Sequence, residues 1–401
     1  MERRRHTVLR ELSRARTAEP FAAGRLGPLA ARIERGARAS APPEMKIESE
    51  ALSPTEVDEV ARDPEVVGIA PVMPIALIAP LAVEAAEAAT TAWGIEAVRA
   101  DESVFSGKGV TVAVLDTGID VDHDAFKELE IVSRDFSGSG EGDGNGHGTH
   151  CAGTILGRDA AGKRIGVARG VERALIGKVL GNDGSGGSEM IFNALTWAVE
   201  NGADVISMSL GFDFPGLVQE LVSGGWPPDL ATSVALEGYR GNLRMFDALM
   251  QVIEARAAFG SDVLVVAAAG NESRRQEDER FEIAAGLPAA AEGVISVGAA
   301  GQGPHGLRIA DFSNTLPQIT GPGVNVLSAK RGGGLVALSG TSMACPHVAG
   351  VAALIFEELR ASEVAATVRT VTAKLLSRAR TDVFAPGTDR ADRGVGLVTA
   401  T

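Results

Sequence analysis

Cysteine is scarce in this chain of 401 residues, which contains only Cys151 and Cys345. Two thiols are too few for a disulfide framework, so the fold must depend on its apolar core. Each cysteine lies in a small-residue stretch beside a candidate functional residue, and we expect both to be buried thiols. Aromatic residues make up only 4% of the sequence and do not alternate with basic ones, which argues against a nucleic-acid partner.

Long apolar runs are also missing. No stretch reaches the roughly 18 apolar residues of a transmembrane helix, and the arginines at positions 3–5 are not followed by the apolar segment of a signal peptide. We therefore expect no membrane partner and a cytoplasmic location, with secretion by another route left open. The net charge of −14 likewise argues against nucleic acid and anionic membranes as partners.

Positive charge is concentrated at the N-terminus. Residues 1–40 hold ten arginines and four glutamates, so this arm has a net charge of +6 and the rest of the chain −20. Short basic arms usually lie in solvent. We expect this one to be a solvated tail.

The chain divides into two parts of different composition. The first part is rich in proline, with a strand pattern at 45–50, a helix opened by Ser53 and Pro54, and apolar segments at 66–70 and 75–78. This pattern predicts a small α+β unit within residues 1–80. Residues 81–91 are rich in alanine and glutamate and are typical of an exposed linker.

Residues 92–401 alternate between apolar strand patterns and helices, which predicts an α/β fold with a parallel sheet flanked by helices. Continuous apolar character indicates strands buried on both faces. The predicted strands are 110–115, 174–179, 205–208, 263–268, 294–297 and 324–328. Helices are predicted over 189–201, ending at Gly202, and over 243–259.

An acid, a base and a hydroxyl occur in the order Asp116, His147 and Ser342. Asp116 ends an apolar strand pattern, where parallel sheets place functional residues. His147 and Ser342 each begin a run of small residues that predicts a helix, and Pro346 is tolerated because the first N–H groups of a helix lack partners. A serine nucleophile needs a base, and the base needs an acid to orient it. The three residues therefore predict nucleophilic acyl transfer.

Asn271 follows a further apolar strand pattern that ends in small residues. Its side-chain amide is a candidate donor to the oxyanion of a tetrahedral intermediate, and the Ser342 N–H is the second candidate.

These four segments together resemble the subtilisin-like serine peptidases, or subtilases. The resemblance rests on residues 116–120, 147–153, 268–271 and 340–347, and the order Asp, His, Ser is that of subtilisin. Further similarity extends from position 93 to 398. It implies the subtilisin-like fold, a triad of Asp116, His147 and Ser342, and Asn271 as the side chain of the oxyanion hole.

The resemblance also implies contacts with a polypeptide substrate. An exposed strand pairing with an extended substrate would include Ser207, Ser209, Leu210 and Gly211. One wall of the first specificity pocket would be formed by Ala268, Ala269 and Gly270. Such small walls favour a roomy, apolar pocket and broad specificity.

The first part resembles a subtilase propeptide of the inhibitor type, through its helix and residues 63–71. Such propeptides assist folding and block the cleft with their C-terminal tail. The resemblance implies that residues 1–80 comprise the basic arm and a propeptide that binds the peptidase domain. Self-cleavage would fall within the linker, at 80–91.

Two features depart from the family pattern. The positions that would supply strong calcium ligands are mostly not acidic, so we expect no required cofactor and no strong metal site. The weak calcium candidates are Asp135, Asp143, Asp183 and Asp262. The second departure is an insertion at about 212–242 that carries Trp226 and Tyr239, and it is expected beside the cleft as a lid, a docking loop or a plain surface excursion.

We therefore predict a serine endopeptidase made as a self-processed zymogen, with an acyl-enzyme on Ser342. An exopeptidase or a dedicated processing protease is an alternative, because the insertion could narrow the cleft. A catalytically silent, peptide-binding subtilase is the other alternative. A missing triad residue would favour it, and none is missing.

Overall fold

The computed structural model describes residues 3–12, 41–82 and 92–401. The strands are β1 Arg4–Glu11, β2 Met45–Leu52, β3 Val66–Pro71, β4 Pro74–Leu77, β5 Leu81–Ala82, β6 Thr111–Asp116, β7 Glu130–Asp135, β8 Arg173–Lys178, β9 Ser185–Gly187, β10 Val205–Met208, β11 Leu210–Phe212, β12 Leu264–Ala268, β13 Val294–Gly301, β14 Arg308–Ile309, β15 Ile319–Pro322, β16 Val326–Ala329 and β17 Leu335–Ser339. The α-helices are α1 Pro54–Val60, α2 Trp93–Ala97, α3 His147–Leu156, α4 Ser188–Glu200, α5 Phe214–Ser223, α6 Pro228–Arg256, α7 Thr341–Arg360, α8 Val368–Ser377 and α9 Arg390–Arg393.

The main sheet has the strand order β14-β13-β12-β10-β6-β8-β7, with β15 beside β13. Its neighbours are parallel except for β13 and β14. Helices α3 and α7 share one apolar core with the sheet, and α4 and α6 share the other. Burial on both faces explains the continuous apolar character of the central strands. The predicted α/β fold, a parallel sheet flanked by helices, is confirmed.

Two predicted elements need correction. The strand predicted at 324–328 is β16, which forms an antiparallel hairpin with β17 outside the main sheet, because the chain turns back through Gly332, Gly333 and Gly334. The helix predicted at 243–259 is the second half of α6, which begins at Pro228. The insertion at 212–242 therefore contains α5 and the first half of α6, packed as a helical pair.

The N-terminal unit comprises the described residues of the first part, 3–12 and 41–82. Its sheet has the order β2-β1-β3, with β1 antiparallel to both neighbours. The expectation of a solvated basic arm is therefore wrong for Arg4–Glu11, which is the central strand. This strand begins with the exposed Arg4 and Arg5, and its apolar Val8 and Leu9 are fully buried. The rest of the arm and most of the predicted linker lie outside the described residues.

Helix α1 begins at the predicted cap. The Ser53 hydroxyl accepts from the Glu56 N–H at 3.4 Å, and the Glu56 carboxylate accepts from the Ser53 N–H at 2.8 Å. This reciprocal pair satisfies two N–H groups that the helix itself cannot.

Helix α7 is the central helix of the body formed by residues 92–401. Within the described residues it is the one helix long and apolar enough to cross a membrane, and 89% of the stretch that qualifies is buried inside the protein. Its apolar character is accounted for by packing against α3 and the sheet.

Candidate active site

Asp116 is the last residue of β6, at the carboxyl edge of the main sheet. It is fully buried, and its Oδ1 accepts a hydrogen bond from the Thr117 N–H at 2.7 Å. The Nδ1 atom of His147 lies 2.8 Å from Oδ1 and 3.0 Å from Oδ2 of this carboxylate. Since a carboxylate only accepts, Nδ1 of a neutral imidazole carries the proton here. Its Nε2 is then the acceptor, as a general base requires.

His147 is the first residue of α3, and the preceding turn is held by Asp143. The Oδ1 atom of Asp143 accepts from the Gly146 N–H at 2.7 Å, and its Oδ2 accepts from the N–H and hydroxyl of Thr149 at 2.9 and 2.6 Å. Gly146 has a φ of 106°, a left-handed conformation that glycine adopts without strain. The turn and the Asp143 carboxylate therefore fix the start of α3 and with it the position of the His147 side chain.

Asp143 entered the sequence analysis only as a weak calcium candidate. Burial alone would raise the pKa of this carboxyl, but the hydrogen bonds from Thr149, Gly146 and Thr117 outweigh it and lower the pKa. Its role in positioning His147 is one that sequence reasoning missed. An acidic residue four positions before a histidine that opens a helix is the local signal that could have indicated it.

Ser342 is the second residue of α7 and is fully buried. Its hydroxyl lies 3.3 Å from the backbone oxygen of Ile78 and 3.4 Å from that of Ser209, and it donates to these carbonyls. Among the hydrogen bonds of the described residues, none joins Ser342 to His147. The hydroxyl is therefore oriented by Ile78 of the N-terminal unit and by Ser209, the residue between β10 and β11, and not by the imidazole.

Pro346 is the sixth residue of α7, past the N–H groups that a helix leaves free. The sequence argument for its tolerance therefore needs correction. A residue with an N–H at this position would bond to the Ser342 carbonyl, and proline cannot. The freed carbonyl instead accepts from the Ser209 hydroxyl at 3.1 Å and the Cys151 thiol at 3.4 Å. The proline thus leaves an acceptor that ties Ser342 to two neighbouring elements.

Asn271 lies shortly after β12, next to the start of α7. Its Oδ1 accepts from the N–H and the hydroxyl of Thr341 at 2.8 and 2.9 Å. Because these donors hold the oxygen, the amide nitrogen points the other way, and Nδ2 donates to the backbone oxygen of Ala79 at 3.3 Å. The amide is therefore presented to a carbonyl beside Ser342.

The cleft beside these residues is filled by strand β4. It lies between β11 and β9 and is antiparallel to both, with Leu77 opposite Leu210 and Ile75 opposite Gly186. The Leu77 N–H also donates to the Gly184 oxygen at 2.8 Å. Beyond the catalytic residues, β5 pairs with β17. The chain therefore runs through the cleft as an extended polypeptide bound by backbone hydrogen bonds, a common mode of peptide recognition.

A buried Asp–His pair, a serine at a helix start and an oriented amide are the groups that acyl transfer to serine requires. The sequence profile described as the subtilase family matches residues 107–397. The chain belongs to the subtilase family. It is a subtilisin-like serine protease.

Three relatives with curated names match most of the peptidase part of the chain. The major intracellular serine protease of Bacillus subtilis (strain 168) is 36% identical over 273 residues, which cover 65% of this chain and 74% of the relative. Subtilisin DY of Bacillus licheniformis is 34% identical over 283 residues, covering 69% and 89%. The intracellular serine protease of Paenibacillus polymyxa is 35% identical over 277 residues, covering 67% and 74%.

The expected substrate strand of this subtilase is only partly where it was predicted. Ser207 lies within β10, between β6 and β12, and its hydroxyl is 3.5 Å from the Cys345 sulfur. The expectation that it belongs to an exposed strand is wrong, because β10 is an inner strand of the main sheet. The strand that pairs with the cleft segment is β11, where Leu210 and Gly211 lie opposite residues of β4. Ser209 lies between the two strands and contacts Ser342.

In the predicted pocket wall, Ala268 is the last residue of β12, and Ala269 and Gly270 follow it. Ala268 and Ala269 are buried, and the Gly270 N–H donates to the Thr341 hydroxyl at 3.2 Å. The Ala269 oxygen accepts from the Gly286 N–H at 3.1 Å. These contacts hold the segment that leads to Asn271. Its contact with a substrate side chain stays a prediction.

Both cysteines of the subtilase domain are buried free thiols, as expected. Burial raises the pKa of the Cys151 thiol well above its ordinary value and that of Cys345 to about 11. Since the thiolate is the reactive form, neither is suited to act as a nucleophile at neutral pH.

Within the described residues, the group of His, Cys, Asp or Glu ligand atoms close enough to share a metal ion consists of Asp116, His147 and Cys151. These are the candidate catalytic pair and its neighbour. The oxygens of the calcium candidate Asp143 are used by protein donors, as are those of Asp135. That no strong calcium site exists stays a prediction, and it rests on the six to eight oxygen ligands that Ca²⁺ takes.

Proposed function

We propose that this subtilase hydrolyses internal peptide bonds through an acyl-enzyme on Ser342. His147 removes the hydroxyl proton as Ser342 attacks the carbonyl carbon and returns it to the leaving nitrogen. Asp116 holds the imidazole in the required tautomer and stabilises the imidazolium. Asn271 Nδ2 and the Ser342 N–H bind the oxyanion. His147 then removes a proton from a water molecule, which attacks the acyl-enzyme and releases the acid product. The 2.8 Å contact between His147 and Asp116 carries this assignment.

The full chain is, in this proposal, an inhibited zymogen whose N-terminal unit is its propeptide. The supporting observation is that the catalytic groups contact two different carbonyls. The Ser342 hydroxyl is bonded to the oxygen of Ile78, whereas Asn271 is bonded to that of Ala79. Reaction requires both groups on one carbonyl, with Oγ at the carbon and the amide at the oxygen. The segment is therefore bound in a non-productive arrangement.

The processing site is proposed to lie after the bound segment, within residues 81–91. The peptide bonds of Ile78 and Ala79, next to Ser342, are held non-productively. The residue after Ala79 is Pro80, whose ring replaces the N–H of the leaving group and fixes φ. Once the N-terminal unit shifts or leaves, the following residues can enter the cleft. Residues 83–91 are outside the described part of the chain.

An exopeptidase or dedicated processing protease is the competing enzymatic hypothesis. The extended pairing of the cleft segment on both sides of Ser342 favours an endopeptidase, since an internal stretch of polypeptide passes through the site. A silent peptide-binding role is disfavoured by the buried, hydrogen-bonded Asp–His pair. We also propose a cytoplasmic location, supported by two relatives named as intracellular proteases. Polypeptides and the chain's own N-terminal unit are the proposed partners.

The deciding experiment follows the intact mass of purified wild type and Ser342→Ala over time. Loss of about the first 80–91 residues from wild type only, with Ser342→Ala unchanged, would support the triad and self-processing together. Identical processing of both proteins would contradict self-cleavage. Fragment lengths from casein then separate the enzymatic hypotheses, because an endopeptidase makes internal fragments early. If matured protein neither cleaves casein nor reacts with a fluorophosphonate, the active-protease proposal fails.

A further inference from the structure

The insertion at 212–242 contacts the N-terminal unit along one face of α6. Gly238, Gly241 and Asn242 of the insertion and Met245 just beyond it lie on the same side of the helix, because Gly238 and Asn242 are four residues apart, as are Gly241 and Met245. Gly238, Asn242 and Met245 are buried. We call these four residues the docking face. The N-terminal unit covers this face with β3 and the residues that follow it.

Two of these positions are glycines that permit a close approach. A Cβ atom at Gly238 would lie 3.2 Å from the Met73 sulfur, and one at Gly241 would lie 3.2 Å from Pro71 Cδ. Glycine inside a helix is about 1 kcal/mol less favourable than alanine. Two glycines within four residues therefore weaken α6, and the close approach of the N-terminal unit is the structural reason for them.

Asn242 adds a polar contact at the centre of the docking face. It is fully buried, and its Nδ2 donates to the Pro71 oxygen at 2.8 Å and to the Gly238 oxygen at 2.9 Å. The Pro71 carbonyl thus finds its donor on the insertion. Departure of the N-terminal unit would break this bond and expose the amide to water.

The insertion reaches two more parts of the N-terminal unit. The Arg4 guanidinium, at the start of β1, lies 5.4 Å from the ring centre of Trp226, a cation–π arrangement. The Asp213 N–H, just before α5, donates to the Pro74 oxygen at 3.0 Å, at the start of the cleft strand β4. The insertion therefore contacts β1, β3 and β4 at once.

We propose that the insertion is the recognition surface for the chain's own N-terminal unit and sets how fast that unit leaves the cleft. This inference rests on the proposed zymogen function and assigns its regulation to a defined surface. Of the three expectations for the insertion, a lid, a docking loop or a plain excursion, it favours the docking loop. The partner is the chain's own β1–β4, and its hold on the insertion depends on the close backbone approach at Gly238 and Gly241 together with the contacts of Asn242 and Trp226.

The test measures the rate at which a fluorophosphonate labels Ser342 in the freshly purified full chain, before any mass is lost. Gly238→Leu and Gly241→Leu should label at least about tenfold faster than wild type, because a side chain there separates the two surfaces. Glu237→Leu, which places the same side chain on the exposed side of α6, should label like wild type. After complete removal of the N-terminal unit, all four proteins should label equally.

A second pair of variants removes one surface contact only, so the test remains valid if the glycine variants fail to fold. Arg4→Ala and Trp226→Ala should each speed labelling by about threefold, and the double variant should show no further gain, because both remove one contact. Equal labelling of wild type and all variants in the full chain, or a multiplicative double variant, would overturn the inference. If wild-type full chain labels as fast as matured enzyme, the zymogen proposal itself fails. If matured enzyme does not label, the protease proposal fails.

Discussion

The body of residues 92–401 and the N-terminal unit are stabilised in different ways. The body has a mostly parallel sheet whose central strands are buried between two helical layers, each with its own apolar core. Helix α1 of the N-terminal unit buries none of its residues, and Leu9, Met45, Ala70 and Ile75 belong to the core cluster beneath α4 and α6. The unit therefore completes a core of the body and has little of its own.

This difference teaches that order in the N-terminal unit depends on docking. A unit of this size buries a smaller fraction of its surface than a large domain does, and it is marginal alone. The body does not share this dependence, because its catalytic residues are held by elements of the main sheet and by α3 and α7. Changes in the body should alter chemistry, and changes in the unit should alter release. The following predictions test that separation.

The largest effect is expected for Asp116→Asn in matured enzyme. An amide at this position can donate to Nδ1 and leave His147 with the wrong tautomer, so kcat should fall by about 10⁴-fold. Steady-state kinetics on a peptide substrate measures this, and the midpoint of thermal unfolding shows whether the fold is retained. A loss of less than tenfold in folded protein would show that the pair does not act in catalysis.

Asn271→Ala should lower kcat by about 10²–10³-fold, because one oxyanion donor is lost, and should change KM little. The figure is that of the corresponding change in subtilisin. Asn193→Ala, in α4 away from the cleft, is the matched control and should retain the wild-type kcat. An effect on KM alone would indicate that Asn271 binds substrate without stabilising the transition state.

Ile75→Ala tests the N-terminal side of the comparison. Ile75 is 1% exposed and packs in the cleft, and truncating a buried isoleucine costs about 2–5 kcal/mol, so fluorophosphonate labelling of the full chain should accelerate by at least about 30-fold. The kcat of matured enzyme should not change, since β4 is then absent. Glu59→Ala, at an exposed position of α1, is the control. A changed kcat would break the proposed separation.

The smallest effect is the pH dependence of the body. Burial lowers the pKa of His347 to about 4 and that of His150 to about 3, against an ordinary value of 6.5. Between pH 6.5 and 4 the unfolded chain binds more protons than the folded one, so stability is full above pH 6.5 and falls as the pH is lowered. Each histidine contributes at most about 1.4 kcal/mol per pH unit.

Thermal unfolding of Ser342→Ala between pH 7 and 4, which avoids self-digestion, measures this dependence. Adding His347→Leu should flatten the slope of stability against pH by up to half, whatever its effect on stability at pH 7. An unchanged slope would assign the acid sensitivity to other groups.

Local sequence patterns account for much of the body. Asp116, His147, Ser342 and Asn271 were recognisable because each stands at the boundary of an apolar strand or a small-residue helix, where short motifs carry the information. Their proximity was not derivable from spacing, since Ser342 lies 195 positions after His147. The structure brings them to one edge of the sheet, as the parallel order of β6, β10 and β12 requires.

Other features escaped prediction because they depend on distant parts of the chain. Nothing local marks Arg4–Glu11 as a central strand, since its partners Met45–Leu52 and Val66–Pro71 lie far along the sequence. Ser207 was assigned to the exposed strand because the break between β10 and β11 has no local signal. An edge strand and an inner strand differ in which strands lie beside them, and their own amino-acid sequences need not differ.

The sequence by itself determined the chemistry of this subtilase: an acid, a base, a hydroxyl and an amide, each beside a predicted strand or helix. Only the tertiary structure decided that Ser342 contacts Ile78 while Asn271 contacts Ala79, and that α6 presents two glycines to the N-terminal unit. The reason is physical. Motifs are set by neighbours in the chain, whereas register in a cleft and packing at an interface are set by long-range pairing.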